Sequence, residues 1–378
     1  MSYYPDNEER RLPPVGVLIA LGAAVVAMLL GLFAPHDGAV WRMPQVLEQR
    51  VASALIAAGH PGLDIEMQGQ RAVLRGVVQD ERDIEAVRHA ALTAAGAGGA
   101  WAGGVTSVDV SGVEVGLLQQ PYQWSARRDG NRVILAGHVP SEATRTSLLG
   151  VARAVFTGAD PVDEMQVAGG SPSPSFAHVA RSALRALARL NSGEARIVDE
   201  HVVFIGDASS ENAGAIRALF RETPPPFRVR YAFTVDGLDI ENPELQGLNL
   251  NGGGAEACSS AFERLMERNV INFPENSAVI DPSSRRILDS LATVALRCDR
   301  FSIEVAGHTD NTGTREANMA LSRARADAVA NYLAAQGVAR SRLTARGYGP
   351  DSPRVANNTE TGRAANRRIE FYVGEAPS

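Results

Sequence analysis

The sequence predicts an α+β protein with three parts. These are an N-terminal transmembrane helix, three small α/β modules in tandem, and a C-terminal α/β sandwich whose mixed sheet is covered by helices. Three observations carry this expectation. Val15 to Ala34 is a run of twenty residues without a charge. Between residues 45 and 235 an apolar strand ending in Gly, a polar turn and an amphipathic helix recur three times. From residue 256 to residue 375 strand-like and helix-like periods alternate around Gly307-His308-Thr309-Asp310-Asn311-Thr312-Gly313. At 378 residues the chain is too long for one ordinary core, which fits several domains.

Residues 1–14 read as a short polar tail on the cytoplasmic side. Twenty residues at about 1.5 Å each match a hydrocarbon layer of roughly 30 Å. A cleaved signal peptide is the competitor, and it would leave the rest periplasmic or associated with an outer membrane. Its apolar region is usually shorter and ends in a small-x-small site, whereas Leu32-Phe33-Ala34 runs into Pro35. Arg10 and Arg11 precede the span and no basic cluster follows closely. The expectation is a single-pass inner-membrane protein with its N-terminus cytoplasmic and everything after Pro35 exported. No Cys lies near the N-terminus, which argues against a lipid anchor.

The net charge is -6 and all 37 basic residues are Arg. That balance argues against nucleic acid as the main partner, because phosphate binding wants a basic face. The absence of Lys reads as a GC-rich genome rather than a function.

The first module (45–112) holds Ala72–Gly76 as its strand and a helix from about Asp80 to Ala95. The second (118–168) holds Arg132–Gly137 and a helix from Ser141 to Phe156. The third (175–235) holds Val202–Gly206 and a helix from Ser209 to Phe220. The three Gly residues lie 61 and 69 apart, a spacing that suits repeated small units. Further amphipathic helices, Val46–Ala58 and Phe176–Leu190, precede the first and third modules. The second has none, so it is degenerate or leans on a neighbour. Gly169-Gly170-Ser171-Pro172-Ser173-Pro174 reads as a hinge. The pattern resembles the BON domain of bacterial envelope proteins, which implies binding to phospholipid or to other envelope components. No basic cluster derives lipid binding from the residues themselves, and spacers that stack and extend the chain to some 80 Å explain the modules equally.

Residues 236–255 read as a linker, with neither periodicity nor enough apolar mass to pack. In the C-terminal domain (256–375), Cys258–Glu267 reads as a short helix, Val270–Phe273 as a strand, and Ser283–Arg297 as a helix opened by Pro282. Phe301–Ala306 alternates as a half-buried strand. A helix follows from Arg315 to Ala335, with Ala317, Leu321, Ala324, Ala328 and Leu333 on one face. Arg342–Gly349, a strand and turn, and Arg367–Val373 complete four strands, arranged as two crossover units and a final hairpin. Asn318 and Arg325, two turns apart on one side of the helix, face the carboxylate of Asp310 at a strand end. Alone, that pair reads either as a salt bridge or as a site for a zwitterion.

Two cysteines, Cys258 and Cys298, lie in this domain. A buried free pair is one reading; a disulfide fits better if the chain is exported. Two cysteines without a matching His cluster do not make a zinc site, and His308 with Asp310 is too few ligands for a metal. His308 reads as a turn residue. Nothing in the sequence asks for a cofactor.

The motifs Gly307-His308-Thr309-Asp310-x-x-Gly313, Asn318-x-x-Leu321-Ser322-x-x-Arg325-Ala326, Gly347-Tyr348-Gly349 and Asn358-x-Thr-x-Gly362-Arg363-x-x-Asn366-Arg367-Arg368 resemble the OmpA C-terminal-like domain, a peptidoglycan-binding module. The resemblance implies a ligand, the diaminopimelate of the uncrosslinked peptide stem. It gives Asp310 the ammonium and Arg325 the carboxylate of that side chain's free end. Asn318 completes the hydrogen bonds, while Asn276, Ala278, Thr309 and Leu321 line the site. Arg363 and Arg368 are weaker candidates, since strand alternation puts Arg367 and Arg368 on opposite faces. Relatives with two cysteines flanking the first long helix support the disulfide.

The expected function is therefore a non-catalytic tether between membrane and cell wall. A scaffold or stress protein whose BON-like modules bind lipid or protein is the second reading. An enzyme acting on peptidoglycan is a third, disfavoured because no Cys-His pair, zinc constellation or nucleophilic serine elbow appears. A proton-driven stator needs a carboxylate in its span, and Val15–Ala34 has none.

Overall fold

The computed structural model of the chain describes residues 43–94, 104–239 and 254–375, with single positions at 26, 245 and 250. Apart from Val26, the expected span Val15–Ala34 lies outside the described residues. Among those residues no helix is long and apolar enough to cross a membrane. The chain divides into two compact units, Met1–Gly116 and Leu117–Ser378.

The first unit runs helix α1 (Met43–Ala57), strands β1 (Asp64–Gln68) and β2 (Arg71–Val78), helix α2 (Glu81–Thr93) and strand β3 (Ser107–Val115). β1 and β2 form an antiparallel pair, and β3 returns parallel to β2 through α2. Asp80 starts α2 by accepting from Arg82 N, and Asp83 reaches back to the Asp80 amide, which closes a capping box. Val51, Leu55, Leu74, Val87 and Val113 meet in its core.

The second unit opens with β4 (Gln123–Asp129), β5 (Arg132–Val139), helix α3 (Glu142–Val155) and β6 (Val162–Val167). Helix α4 (Phe176–Leu187) leads into β7 (Ser192–Val198), β8 (His201–Ala208), helix α5 (Ser210–Leu219) and β9 (Arg228–Val235). Each half is an antiparallel pair followed by a parallel crossover, and β4 pairs antiparallel with β7 to fuse them. The result is one six-stranded sheet in the order β6-β5-β4-β7-β8-β9, not two stacked beads. The half without its own leading helix shares α4, whose Phe176 meets Tyr122 and Trp124 edge-on at centroid distances of 5.4 and 6.4 Å. Arg128 on β4 donates to the carbonyls of Ala188 and Leu190 beyond the end of α4, satisfying groups a helix terminus leaves open.

Two expectations change here. Gly137 and Gly206 sit inside β5 and β8, two residues before their ends, with φ of +90° and +145°. A Cβ at these positions would stand 2.3 Å from Gln123 O and 2.1 Å from Ser192 O, so the glycines let neighbouring strands approach rather than end them. The Gly169–Pro174 stretch is a strap and not a hinge. Gly169 bridges Leu117 and Gln119 through its amide and carbonyl, and Ser171 and Ser173 are buried.

The rest of the unit holds α6 (Ala255–Glu267), α7 (Arg285–Arg297), β10 (Phe301–His308), α8 (Arg315–Ala335), β11 (Leu343–Gly349), α9 (Glu360–Asn366) and β12 (Ile369–Glu375). The sheet has three strands in the order β11-β10-β12, one fewer than expected. Val270–Phe273 joins no ladder; Asn272 is tied by its amide to Ser284 Oγ and by its carbonyl to the Asp281 amide. The final pair is not a hairpin either. β11 lies parallel to one side of β10 and β12 antiparallel to the other. Cys258 on α6 and Cys298 at the end of α7 are disulfide-bonded across 40 residues. A loop of that length stabilises by about 4 kcal/mol in the chain-entropy account.

This part shares a core with the six-stranded sheet. Val203, Ile205 and Ala232 pack with Leu288, Leu291, Val329 and Leu333. The expected linker contributes too. Leu245 and Leu250 are buried in that core, and Asp239 accepts from Arg297 Nη1 at 2.8 Å with both residues buried. Isolated apolar residues without a period gave no sign of this in the sequence. Asp239→Ala removes the carboxylate opposite a buried guanidinium and is expected to cost roughly 3–5 kcal/mol in urea unfolding. Adding Arg297→Met should recover most of that loss, because an apolar pair of similar volume carries no buried charge.

Candidate functional site

The site forms where β10 ends and α8 begins. Thr309 and Asp310 follow β10 directly, and the Thr309 amide donates to the O of Gly349, the last residue of β11. Asp310 folds the next turn by accepting from Thr312 N at 2.9 Å, the local bond that suits Asp to turns. Thr314 then caps α8 by accepting from Ala317 N. Asn318, one turn in, donates to Thr312 O at 2.9 Å and ties helix to turn. Asn318, Leu321 and Arg325 follow at spacings of three and four and share one stripe of α8. Asn318 and Arg325 are buried, and Leu321 is half-buried.

Arg325 is 8 % exposed. Its Nε donates to Ser277 O at 2.9 Å and Nη2 to Pro274 O at 3.4 Å, and its Cζ lies 5.1 Å from the centroid of the Phe273 ring. The segment that replaces the expected first strand therefore holds the guanidinium by carbonyls and an aromatic face. Asn276, in a left-handed turn at φ +50°, and the half-buried Ala278 flank Ser277. Among the described residues no carboxylate forms an ion pair with Arg325. Burial pushes its pKa down, the nearby Arg367 pushes the same way, and Asp310 opposes both. The salt bridge between Asp310 and Arg325 is not made, though each feels the other's charge.

The partner of Asp310 is Arg367, which sequence reasoning did not choose. Its Nη1 donates to Asp310 Oδ2 at 2.7 Å and its Nη2 to Glu360 Oε1 at 2.8 Å. Burial alone would raise the Asp310 carboxyl, but hydrogen bonds from Arg367 and Thr312 outweigh it and hold the pKa below its ordinary value. Arg363 stands one step away, bound to Glu360 and Asn357 O. Arg368 turns to the other face, where it binds Glu370 at 2.7 Å and the carbonyl of Ser352. His308 lies on that same face, stacked on Tyr348 at 5.2 Å between centroids with Nε2 3.4 Å from Glu370 Oε2. Thr309 is buried and its Oγ1 has no hydrogen-bond partner. Among the described residues no group of three or more His, Cys, Asp or Glu is placed to hold a metal ion.

The arrangement thus brings together Asp310, Thr309, Asn318, Arg325 and the 274–278 segment, adds Arg367, and turns Arg368 away. Residues 272–367 match the OmpA family and residues 125–169 match the BON-like domain. The peptidoglycan-associated lipoprotein of Pseudomonas putida is 36% identical over 125 residues, which are 33% of this chain and 75% of that protein. The chain belongs to the OmpA family. The peptidoglycan-binding protein ArfA of Mycobacterium tuberculosis is 29% identical over 251 residues, 66% of this chain and 74% of ArfA. The probable lipoprotein YiaD of Escherichia coli is 34% identical over 137 residues, 36% of this chain and 62% of YiaD. In this OmpA-family domain the match begins at Asn272, in the segment that holds Arg325, and ends at Arg367.

Proposed function

We propose that this protein is a non-catalytic envelope tether that binds peptidoglycan through the diaminopimelate of the peptide stem. One observation carries the reading. Among the described residues Arg325 is a buried cation held by neutral acceptors alone, and it lies in the field of an anchored carboxylate, Asp310. A buried charge calls for a partner. A zwitterion with ammonium and carboxylate on one carbon supplies the anion to Arg325 and the cation to Asp310 together. Arg325 offers its remaining N–H groups as a fork to the carboxylate. Asp310 keeps lone pairs on both oxygens for the ammonium beside the bonds from Thr312 and Arg367. Leu321 and Ala278 give the methylene arm apolar contact, and Asn318 holds the turn that carries Asp310.

The names of two relatives, a peptidoglycan-binding protein and a peptidoglycan-associated lipoprotein, support peptidoglycan as the polymer bound. The uncharged run Val15–Ala34 supplies the anchor in this reading, with residues 1–14 in the cytoplasm and both folded units outside the inner membrane. Cosedimentation of the full chain with purified diaminopimelate-type sacculi tests the site. Asp310→Ala is expected to leave the protein in the supernatant while its circular dichroism stays that of the folded protein. Wild-type sedimentation of that variant would refute the assignment.

A further inference from the structure

We infer that Arg367 is the positioning residue of this site, and that it aims the Asp310 carboxylate at the incoming ammonium through its contacts with Asp310 and Glu360. The inference rests on the reading of the site given above and extends it to a residue outside the zwitterion's own pair.

Two roles are open to a guanidinium bound to the ammonium-binding carboxylate. It either competes with the ligand for that carboxylate or sets its orientation. Three observations favour orientation. Arg367 is shared between two carboxylates at nearly equal distances, 2.7 Å to Asp310 and 2.8 Å to Glu360. Its charge is thus compensated on the α9 side without withdrawing Asp310 from a ligand. Asp310 is held at both oxygens, by Thr312 N at one and Arg367 at the other, which fixes the orientation of the carboxylate. Finally, Arg367 sits between the end of α9 and the start of β12, where β12 pairs with β10 and Ile369 lies opposite Gly307. The sheet itself therefore sets the distance from Arg367 to the end of β10.

The contact also sets the acid limit of binding. The groups facing Asp310 are Arg367 from the α9–β12 junction, Arg325 from α8 and the Thr312 amide, with Glu360 behind Arg367. Burial drives the carboxyl toward protonation and the bonds from Arg367 and Thr312 oppose it. Ligand binding needs the ionised carboxyl, so affinity is lost as pH falls through the depressed pKa of Asp310. Without Arg367 the burial effect gains, the pKa rises, and affinity is lost at a higher pH.

The test is calorimetric titration of the full chain with a diaminopimelate-containing disaccharide tripeptide, repeated from neutral to acid pH. Arg367→Gln is expected to bind about tenfold or more weakly at neutral pH, the scale of one charge-assisted hydrogen bond, with its acid limb moved upward. Arg367→Lys keeps a charge but not the fork, and should fall between wild type and Arg367→Gln in both respects. It answers the question alone if Arg367→Gln does not fold. A merely structural loss would lower the active fraction without moving the acid limb. Arg367 variants that bind as wild type or tighter, with an unmoved acid limb, while Asp310→Ala fails to bind, would overturn the positioning role alone. Undiminished binding by Asp310→Ala would overturn the site and this inference with it.

Discussion

Arg325→Ala is expected to abolish retention on sacculi, and Arg325→Lys to recover little of it. The alanine variant loses the buried guanidinium that would meet the carboxylate, together with two or more charge-assisted bonds worth about 1.5–3 kcal/mol each. A loss of roughly 3–4 kcal/mol weakens binding several hundredfold. The lysine variant keeps a charge near the same place but changes its geometry. Arg325 spends Nε on Ser277 O and an Nη2 proton on Pro274 O while its plane lies over Phe273, and the remaining N–H groups still form a fork. An ammonium has three donors on one point and no plane to stack. Lysine that bonds Ser277 has left the ligand; lysine that bonds the ligand leaves the 274–278 segment without its donor. The helix survives either change, because α8 packs through Ala326, Val329, Ala330 and Leu333. Circular dichroism should therefore match wild type while sacculus retention falls to background.

Gly307→Ala is expected to damage both fold and binding. A Cβ on Gly307 would stand 2.1 Å from the carbonyl oxygen of Ser322. That atom is helix backbone, so no side-chain rotation relieves the clash and α8 must move away from β10. Inserting atoms into a packed contact costs typically 1–3 kcal/mol and sometimes more, and backbone against backbone belongs at the upper end. The displacement also reaches the site. Ser322 Oγ accepts from Gly349 N at 3.0 Å, and Gly349 O accepts from Thr309 N. Moving the helix therefore loosens the turn before Asp310 while carrying Asn318 and Arg325 outward. A lower thermal midpoint with weakened sacculus binding is expected. Unaltered stability would mean that the close helix-to-sheet approach is not what sets the spacing of the site.

Much of the geometry of the candidate site was legible because its parts are local in sequence. Asp310 follows an alternating strand, and Asn318 and Arg325 fall on one stripe of a helix whose period is plain. The long-range pairing was not legible, and one misreading led to another. Four strands with a closing hairpin puts β12 beside β11. In the structure β12 pairs with β10 instead, which brings the residues before Ile369 alongside the end of β10. Alternation separated Arg367 from Arg368 correctly but could not say which face met Asp310. Choosing Arg367 required knowing the neighbour of β12.

The modules divide in the same way. Their strands and helices follow from periodicity, yet the fusion of β4 to β7 depends on an edge pairing that no local pattern encodes. A linker of Gly, Asn and isolated Leu residues looked too sparse to pack, and the burial of Leu245 and Leu250 comes from a groove made by elements distant in sequence.

The central claim is that Asp310 and Arg325 read an ammonium and a carboxylate on one carbon. It is tested most directly by titrating the wild-type full chain with two muropeptides that differ only at the third stem residue. One carries diaminopimelate; the other carries lysine, which keeps the ammonium arm and lacks the carboxylate. Binding of the first, with the second weaker by about a hundredfold or more for the lost bidentate contact, is the predicted result. Equal affinity for the two would contradict it.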